Sequence, residues 1–176
     1  MVEEALVKAA IAAMGRAYAP YSKFPVGAAI LDEEGAIHVG ANIENAAYPV
    51  GNCAEASAIA AMIMVGQKRI VKIAVAGGDG DLLCTPCGAC RQRIREFAAG
   101  DTPVLICGPD GLQQRFTLAE LLPASFGPEN LDRTGRCRLL PEGERRPCRR
   151  LRAVWRPGDG ELQRRDCLRA GGHSSG

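Results

Sequence analysis

Ile70-Val71-Lys72-Ile73-Ala74-Val75-Ala76 decides the fold class of this 176-residue chain. The run is continuously apolar apart from Lys72 and rich in β-branched residues, with no polar alternation. A strand with one wet face alternates, whereas an unbroken one is covered on both faces and sits centrally in a sheet. Working outward, Cys53 to Val65 is rich in Ala, Ile and Met, with no breaker before Gly66, and reads as a largely buried helix. On the other side Cys87 to Ala98 reads as a second helix, with Arg91, Arg93, Arg95 and Glu96 partly exposed. Upstream, the short apolar runs Val26 to Leu31 and Ala36 to Ala41 are joined by Asp32-Glu33-Glu34-Gly35, a hairpin signal. A polar loop follows from Asn42 to Asn52. Downstream, Val104 to Cys107 is a strand, Pro109-Asp110-Gly111 turns the chain, and Gln113 to Phe116 is the last strand. Thr117-Leu118-Ala119-Glu120 opens a short helix with a capping-box pattern. Val2, Leu6, Ala9 and Ala13 recur at helical spacing, so an opening helix is expected over 2–18, ended by Ala19-Pro20-Tyr21-Ser22. The expected fold class is α/β: a three-layer α/β/α sandwich around a mixed five-stranded sheet.

Length and apolar content suit one domain with a real core. Apolar stretches are broken by charge or glycine within a few residues, so none is expected to span a bilayer. The first residues, Met-Val-Glu-Glu-Ala-Leu-Val-Lys, lack the basic start and cleavage site of a secretory signal, and the expected location is cytoplasmic. In that setting eight cysteines read as metal or redox chemistry rather than as disulfides.

The net charge of +2 conceals a split. Residues 1–131 carry 10 Lys and Arg against 14 Asp and Glu, a net of −4. Residues 132–176 carry 12 Arg, no Lys and 6 acids, a net of +6. The acidic body argues against a nucleic-acid groove in residues 1–131. The 132–176 stretch has no helical or strand period and repeats Pro and Gly. It is expected to be an Arg-rich, disordered extension of a catalytic domain spanning 1–131. The alternative is a small basic docking tail.

Cys53-Ala54-Glu55 and Pro86-Cys87-Gly88-Ala89-Cys90 carry the chemistry. Three thiolates leave a tetrahedral zinc one open position for water, whereas a fourth would close it. Cys87 and Cys90 are three apart, so one helical turn aims both at a single ion. Glu55 lies two positions past Cys53, near enough to reach water at the open position without binding the metal. Both thiol-bearing segments begin helices, whose N-termini favour anions. A lone CxxC would equally suit a structural zinc knuckle or a buried dithiol; the Cys-Ala-Glu partner shifts the reading to catalysis. Cys84-Thr85-Pro86-Cys87 is an overlapping CxxC. Pro86 suits the first turn of a helix, which leaves Cys84 in the preceding loop as a bystander. His38 and His173 stand away from these motifs and are read as inert.

Five motifs stand in order along the chain: Ala17-Tyr18-Ala19-Pro20-Tyr21-Ser22-Lys23-Phe24-Pro25-Val26-Gly27-Ala28, Asn42-Ile43-Glu44-Asn45-Ala46-Ala47-Tyr48, Cys53-Ala54-Glu55, Pro86-Cys87-Gly88-Ala89-Cys90-Arg91-Gln92 and Leu121-Leu122-Pro123-Ala124-Ser125-Phe126. In these motifs the chain resembles the cytidine deaminases, specifically the small homotetrameric class with a three-cysteine zinc site. Each is weak alone; it is the five in order that carry the resemblance. The resemblance runs from the first helix to about Leu131. It implies one Zn2+ per subunit on Cys53, Cys87 and Cys90, the ligand pattern of zinc nucleobase deaminases with Cys for the first His. It implies Glu55 as the proton shuttle from water to ring N3 and then to the departing amine, so that cytidine or 2′-deoxycytidine gives the uracil nucleoside and ammonia.

By the same resemblance Asn42 and Glu44 bind the ribose 3′-OH, Phe24 lies against the pyrimidine, and the Ala54 N–H meets the base O2. Ala46, Tyr48 and Phe126 reach into a neighbouring subunit's pocket in a homotetramer with shared sites. The implied partner is a small-molecule nucleoside, with neither nucleic acid nor membrane. Members of this class often carry an Arg just after Cys-Ala-Glu to offset the thiolate charge. Here that position is Ala56, so compensation is expected from helix-terminal N–H groups, with Arg91 and Ser57 as further candidates. A deaminase of the same fold acting on cytosine within nucleic acid is disfavoured, because there is no basic, aromatic groove. A zinc-stabilised binding module is disfavoured by Glu55 and the open fourth position.

Overall fold

The computed structural model describes residues 2–131. The expectation of a disordered or docking tail over 132–176, and with it the role of His173, lies outside the described residues. Helix α1 (Val2–Met14) leads to the hairpin β1 (Val26–Asp32) and β2 (Ile37–Ala41). Helix α2 (Ala54–Met64) leads to β3 (Ile70–Gly77), and α3 (Gly88–Phe97) to β4 (Pro103–Gly108) and β5 (Gly111–Thr117). Two single turns, α4 (Leu118–Leu121) and α5 (Pro128–Leu131), close the described chain. The sheet order is β2-β1-β3-β4-β5. The β3–β4 pair is parallel, with Ile73 opposite Val104, and the other pairs are antiparallel. This is the mixed five-stranded sheet anticipated from the sequence, with β3 at its centre.

Alternation along the strands divides the core into two layers. Ala28, Ile30, Ile73, Val75, Val104 and Ile106 face α2 and α3, where they meet Ala58, Ile59, Met62 and Ile94. Ala29, Ala74, Ala76, Leu105 and Cys107 face Leu6, Val7 and Ala10 of α1. Helix α1 approaches closely because β1 offers Gly27. A Cβ there would lie 2.2 Å from Ala10 O and Met14 N, both backbone atoms. On the opposite face Gly40 lets α2 lie against β2, where a Cβ would fall 2.3 Å from Ala58 N.

The opening helix is shorter than the expected 2–18. It ends at Met14 because Gly15 follows and the Arg16 and Ala17 amides bond back to Ala13 O and Met14 O. Tyr18 is then taken by a long-range pairing: its N–H donates to Asn42 O at 2.9 Å, and Glu44 N–H donates to Tyr18 O at 2.8 Å. The Asn42–Asn52 loop is also more structured than a polar loop, with an Ile43–Asn52 bridge and a 3₁₀ turn at Tyr48–Val50. In the hairpin, buried Asp32 accepts from Glu34 N, Ala36 N and the His38 ring, so His38 braces a turn.

Candidate active site and metal centre

Cys53 and Cys87 occupy equivalent places: each is the extended residue that caps a helix, α2 and α3 respectively. Cys90 follows in the first turn of α3. The Sγ atoms of Cys53, Cys87 and Cys90 all lie within 4.8 Å of one another. Zinc–sulfur bonds of about 2.3 Å at tetrahedral angles need sulfurs about 3.8 Å apart. The cluster is compact enough to share a zinc ion, and an all-sulfur donor set favours zinc over hard cations. Cys84 lies outside the cluster. Its Sγ sits over the backbone of Gly77, 2.5 Å from where a Cβ would stand. Burial, then the Glu55 charge, pushes the Cys84 thiol up to about 11.

Glu55 is only 3% exposed, and its Oε2 accepts from the Cys90 thiol at 3.2 Å. The first turn of α2 thus aims a buried carboxylate at the sulfur cluster. The three thiols differ in character. Burial, followed by the Glu55 charge, raises Cys90 far above the ordinary thiol value. Burial likewise raises Cys53. Burial opposes ionisation of Cys87 as well, but the Cys90 N–H and the neighbouring Cys90 and Cys53 thiols bond to it and bring it below the usual value. Cys87 is thus the one thiol of the three held below its ordinary value, by the Cys90 amide and by its two sulfur neighbours.

The two side chains considered for charge compensation are committed elsewhere. Arg91 donates from Nε to Pro86 O at 2.7 Å, from Nη1 to Leu121 O at 2.8 Å and from Nη2 to Thr85 Oγ1 at 3.0 Å. Ser57 Oγ donates to Ala41 O and Cys53 O and accepts from Asn52 Nδ2.

Beside Cys53 opens a cavity of about 500 Å³, lined by Asn42, Glu44, Tyr48 and Cys53 together with Tyr21, Ser22, Asn45 and Asn52. The volume suits a nucleoside-sized ligand. Asn42 accepts from Val26 N and donates to Phe24 O, while Glu44 accepts from the Tyr21 and Ser22 amides. The Ser22 hydroxyl first, and then these two amides, hold the Glu44 carboxyl below its usual value. Phe24 lies over Gly78 instead of lining the cavity, and buried Ala54 sits behind Cys53. Ala46 and Phe126 are exposed away from the cavity lining, and Tyr48 is 76% exposed with its ring 6.1 Å from that of Tyr21. The sequence reading gave no role to Tyr21, Ser22, Asn45 or Asn52. Tyr21 and Ser22 stood inside a quoted motif, but their place follows from the Tyr18–Asn42 pairing, which has no local signal.

Residues 1–106 match the family described as the cytidine and deoxycytidylate deaminase zinc-binding region. The chain belongs to that family. Its general function is zinc-dependent hydrolytic deamination, so the family's members are hydrolases. The matched region spans all three clustered thiols, and together these findings support one zinc per subunit. A cytidine deaminase of Sporosarcina psychrophila is 44% identical over 128 residues, covering 73% of this chain and 93% of the relative. One from Halalkalibacterium halodurans is 43% identical over 132 residues, 75% of this chain and 99% of the relative. The crystal structure of the cytidine deaminase from Burkholderia pseudomallei superposes with a TM-score of 0.67 at 38% identity, over 72% of this chain and all of the other. Among the described residues no helix is long and apolar enough to cross a membrane.

Proposed function

We propose that this chain hydrolyses cytidine and 2′-deoxycytidine to uridine and 2′-deoxyuridine with release of ammonia, serving pyrimidine salvage. The observation that carries the reading is the buried Glu55 carboxylate 3.2 Å from a thiol of a three-sulfur cluster, one of whose members, Cys53, lines a nucleoside-sized cavity. Cys53, Cys87 and Cys90 hold the metal. When bound, zinc supplies Lewis acidity that lowers the pKa of water to about 7. Glu55 takes a proton from the attacking water and delivers it to ring N3 as the water oxygen adds to C4; it then takes the remaining proton from the new C4 hydroxyl and passes it to the amine, which leaves as ammonia while the C4 carbonyl forms. Its burial excludes competing solvent from that transfer.

Asn42 and Glu44 hold the ribose 3′-OH. Both already brace the backbone between Tyr21 and Val26, so their remaining acceptor and donor capacity is presented in a fixed direction. A site built to bond a hydroxyl rejects an analogue without it, so free cytosine is a poor substrate. Phe24 turns from Gly78 onto the pyrimidine face, and the Ala54 N–H meets the base O2.

Residues 1–131 form the catalytic unit, which works as a homotetramer with shared sites. Ala46, Tyr48 and Phe126 complete a neighbouring pocket, a reading supported by the exposure of Tyr48 and of Phe126, which is 57% exposed. The free thiols at positions 53, 84, 87, 90 and 107 suit the reducing cytoplasm.

The direct test follows the absorbance change from cytidine to uridine on purified protein, with zinc measured on the same samples. Turnover that disappears in Glu55→Ala with zinc retained supports the reading. A zinc-loaded, folded protein without turnover defeats it. Undiminished activity in monomers at high dilution would dispose of the shared pocket.

A further inference from the structure

Arg91 is spent on a job that thiolate charge does not explain. Its guanidinium joins two segments distant in sequence: the loop that delivers a metal ligand, through Thr85 Oγ1 and Pro86 O, and the end of α4, through Leu121 O. Pro86 directly precedes Cys87. Any shift of the 85–87 backbone re-aims the Cys87 Sγ, and Arg91 itself follows Cys90. A planar fork with donors at fixed angles can hold three acceptors in one arrangement, which an ammonium cannot do.

The segment beyond Leu121 depends on the same helix. Gln92 Nε2 donates to Phe126 O at 2.8 Å, and Arg95 donates to Ser125 Oγ at 3.0 Å and pairs with Glu129. Apolar burial contributes little there, because from Pro123 to Leu131 only Gly127 is buried. Ala124 stands at φ 51°, in the left-handed region that a side chain disfavours. A stretch with few buried contacts and one disfavoured residue lies at the low end of local stability. Among the described residues, bonds from Gln92 and Arg95 of α3 hold it closed.

We infer that Arg91 is a positioning residue that couples metal loading to closure of the Leu122–Leu131 segment, which carries Phe126. An ion on Cys87 and Cys90 fixes the 85–91 backbone. The Arg91 fork is thereby fixed and presents Nη1 to Leu121 O. By reciprocity, a closed segment makes the site bind its ion more tightly. The inference rests on the three-thiol metal reading above and extends it to a part of the chain that touches no metal ligand.

The test uses the full chain, zinc-loaded and chelator-stripped, with amide hydrogen exchange read on peptides covering 121–131 and zinc affinity read by competition with a chelating dye. Loading should slow exchange in this segment roughly five- to hundredfold, the range of ordinary coupling. Arg91→Lys keeps the charge but not the fork. It should weaken zinc binding about 10- to 100-fold, as loss of a supporting contact around a metal does, and should abolish the loading-dependent slowing. Arg91→Lys with unchanged affinity and an unchanged exchange difference overturns the role. If Arg91→Lys fails to fold, the unaltered chain decides: zinc uptake with no slowing in 121–131 overturns the coupling and leaves the metal reading intact. An unaltered chain that takes up no zinc defeats the metal reading itself.

Discussion

Cys107 and Cys90 are equally buried, yet they do different work on opposite sides of the sheet. Cys107 faces α1 among Ala29, Ala74, Ala76 and Leu105, and burial, then the Glu3 charge, pushes its thiol up to about 11. There it is a small apolar filler. Cys90 stands in the first turn of α3 with two other sulfurs and a carboxylate as neighbours. The difference lies in the helix. Helix α1 presents its flank and packs through glycine and alanine, whereas α2 and α3 present their starts, where unpaired amides stabilise negative charge.

The largest test of that contrast is on the chemical side. Glu55→Gln should reduce turnover about a thousandfold or more while leaving zinc content and thermal unfolding close to the parent. Cys90→Ala should lose both zinc and activity. Next comes the packing side. Gly27→Ala drives a Cβ into the α1 backbone, which cannot yield as a side chain would, and should cost about 3 kcal/mol or more in denaturant unfolding. Gly40→Ala makes the same intrusion under α2, so it should also disturb Cys53 and weaken zinc binding; Gly27→Ala should leave zinc binding per folded molecule unchanged. Asp32→Ala removes the buried carboxylate that accepts from the Glu34 and Ala36 amides and the His38 ring, and should cost about 1–2 kcal/mol.

Smaller effects sharpen the comparison further. Lys72 and Arg115 hold the Glu3 carboxyl at about 2, against an ordinary 4.5. A carboxylate depressed by folding adds stability above pH 4.5 that is lost as the pH falls towards 2. Glu3→Gln should therefore lower stability at neutral pH by about 1 kcal/mol or less, since the pair is near the surface, and the difference should vanish near pH 2. Cys107→Ala should change stability by about 1 kcal/mol and leave turnover within about twofold, the smallest effect of the set.

Local signals made the central parts legible. The unbroken run at Ile70–Ala76 announced a strand covered on both sides, and Asp32 to Gly35 announced a hairpin. The spacing of Cys53, Glu55, Cys87 and Cys90 announced a metal site because one helical turn and one helix start fix where those side chains can go. What escaped depended on partners far away in sequence. Beyond the helix end at Met14, Tyr18 is claimed by Asn42, and nothing near Tyr18 says so. Asn42 and Glu44 carry the 21–26 backbone, a duty invisible until the two loops meet. Arg91 read as a half-exposed helix arginine, since carbonyl acceptors at Pro86 and Leu121 leave no trace in residue types.

Cys53 and Cys87 stand 34 positions apart, one at the head of α2 and one at the head of α3. An ion shared between them behaves as a reversible cross-link, tying the crossover from α2 through β3 to α3. Its binding free energy is added to folding wherever the unfolded chain holds the ion less well. Metal supply in the surroundings thereby becomes a determinant of how long the molecule survives as well as how fast it turns over.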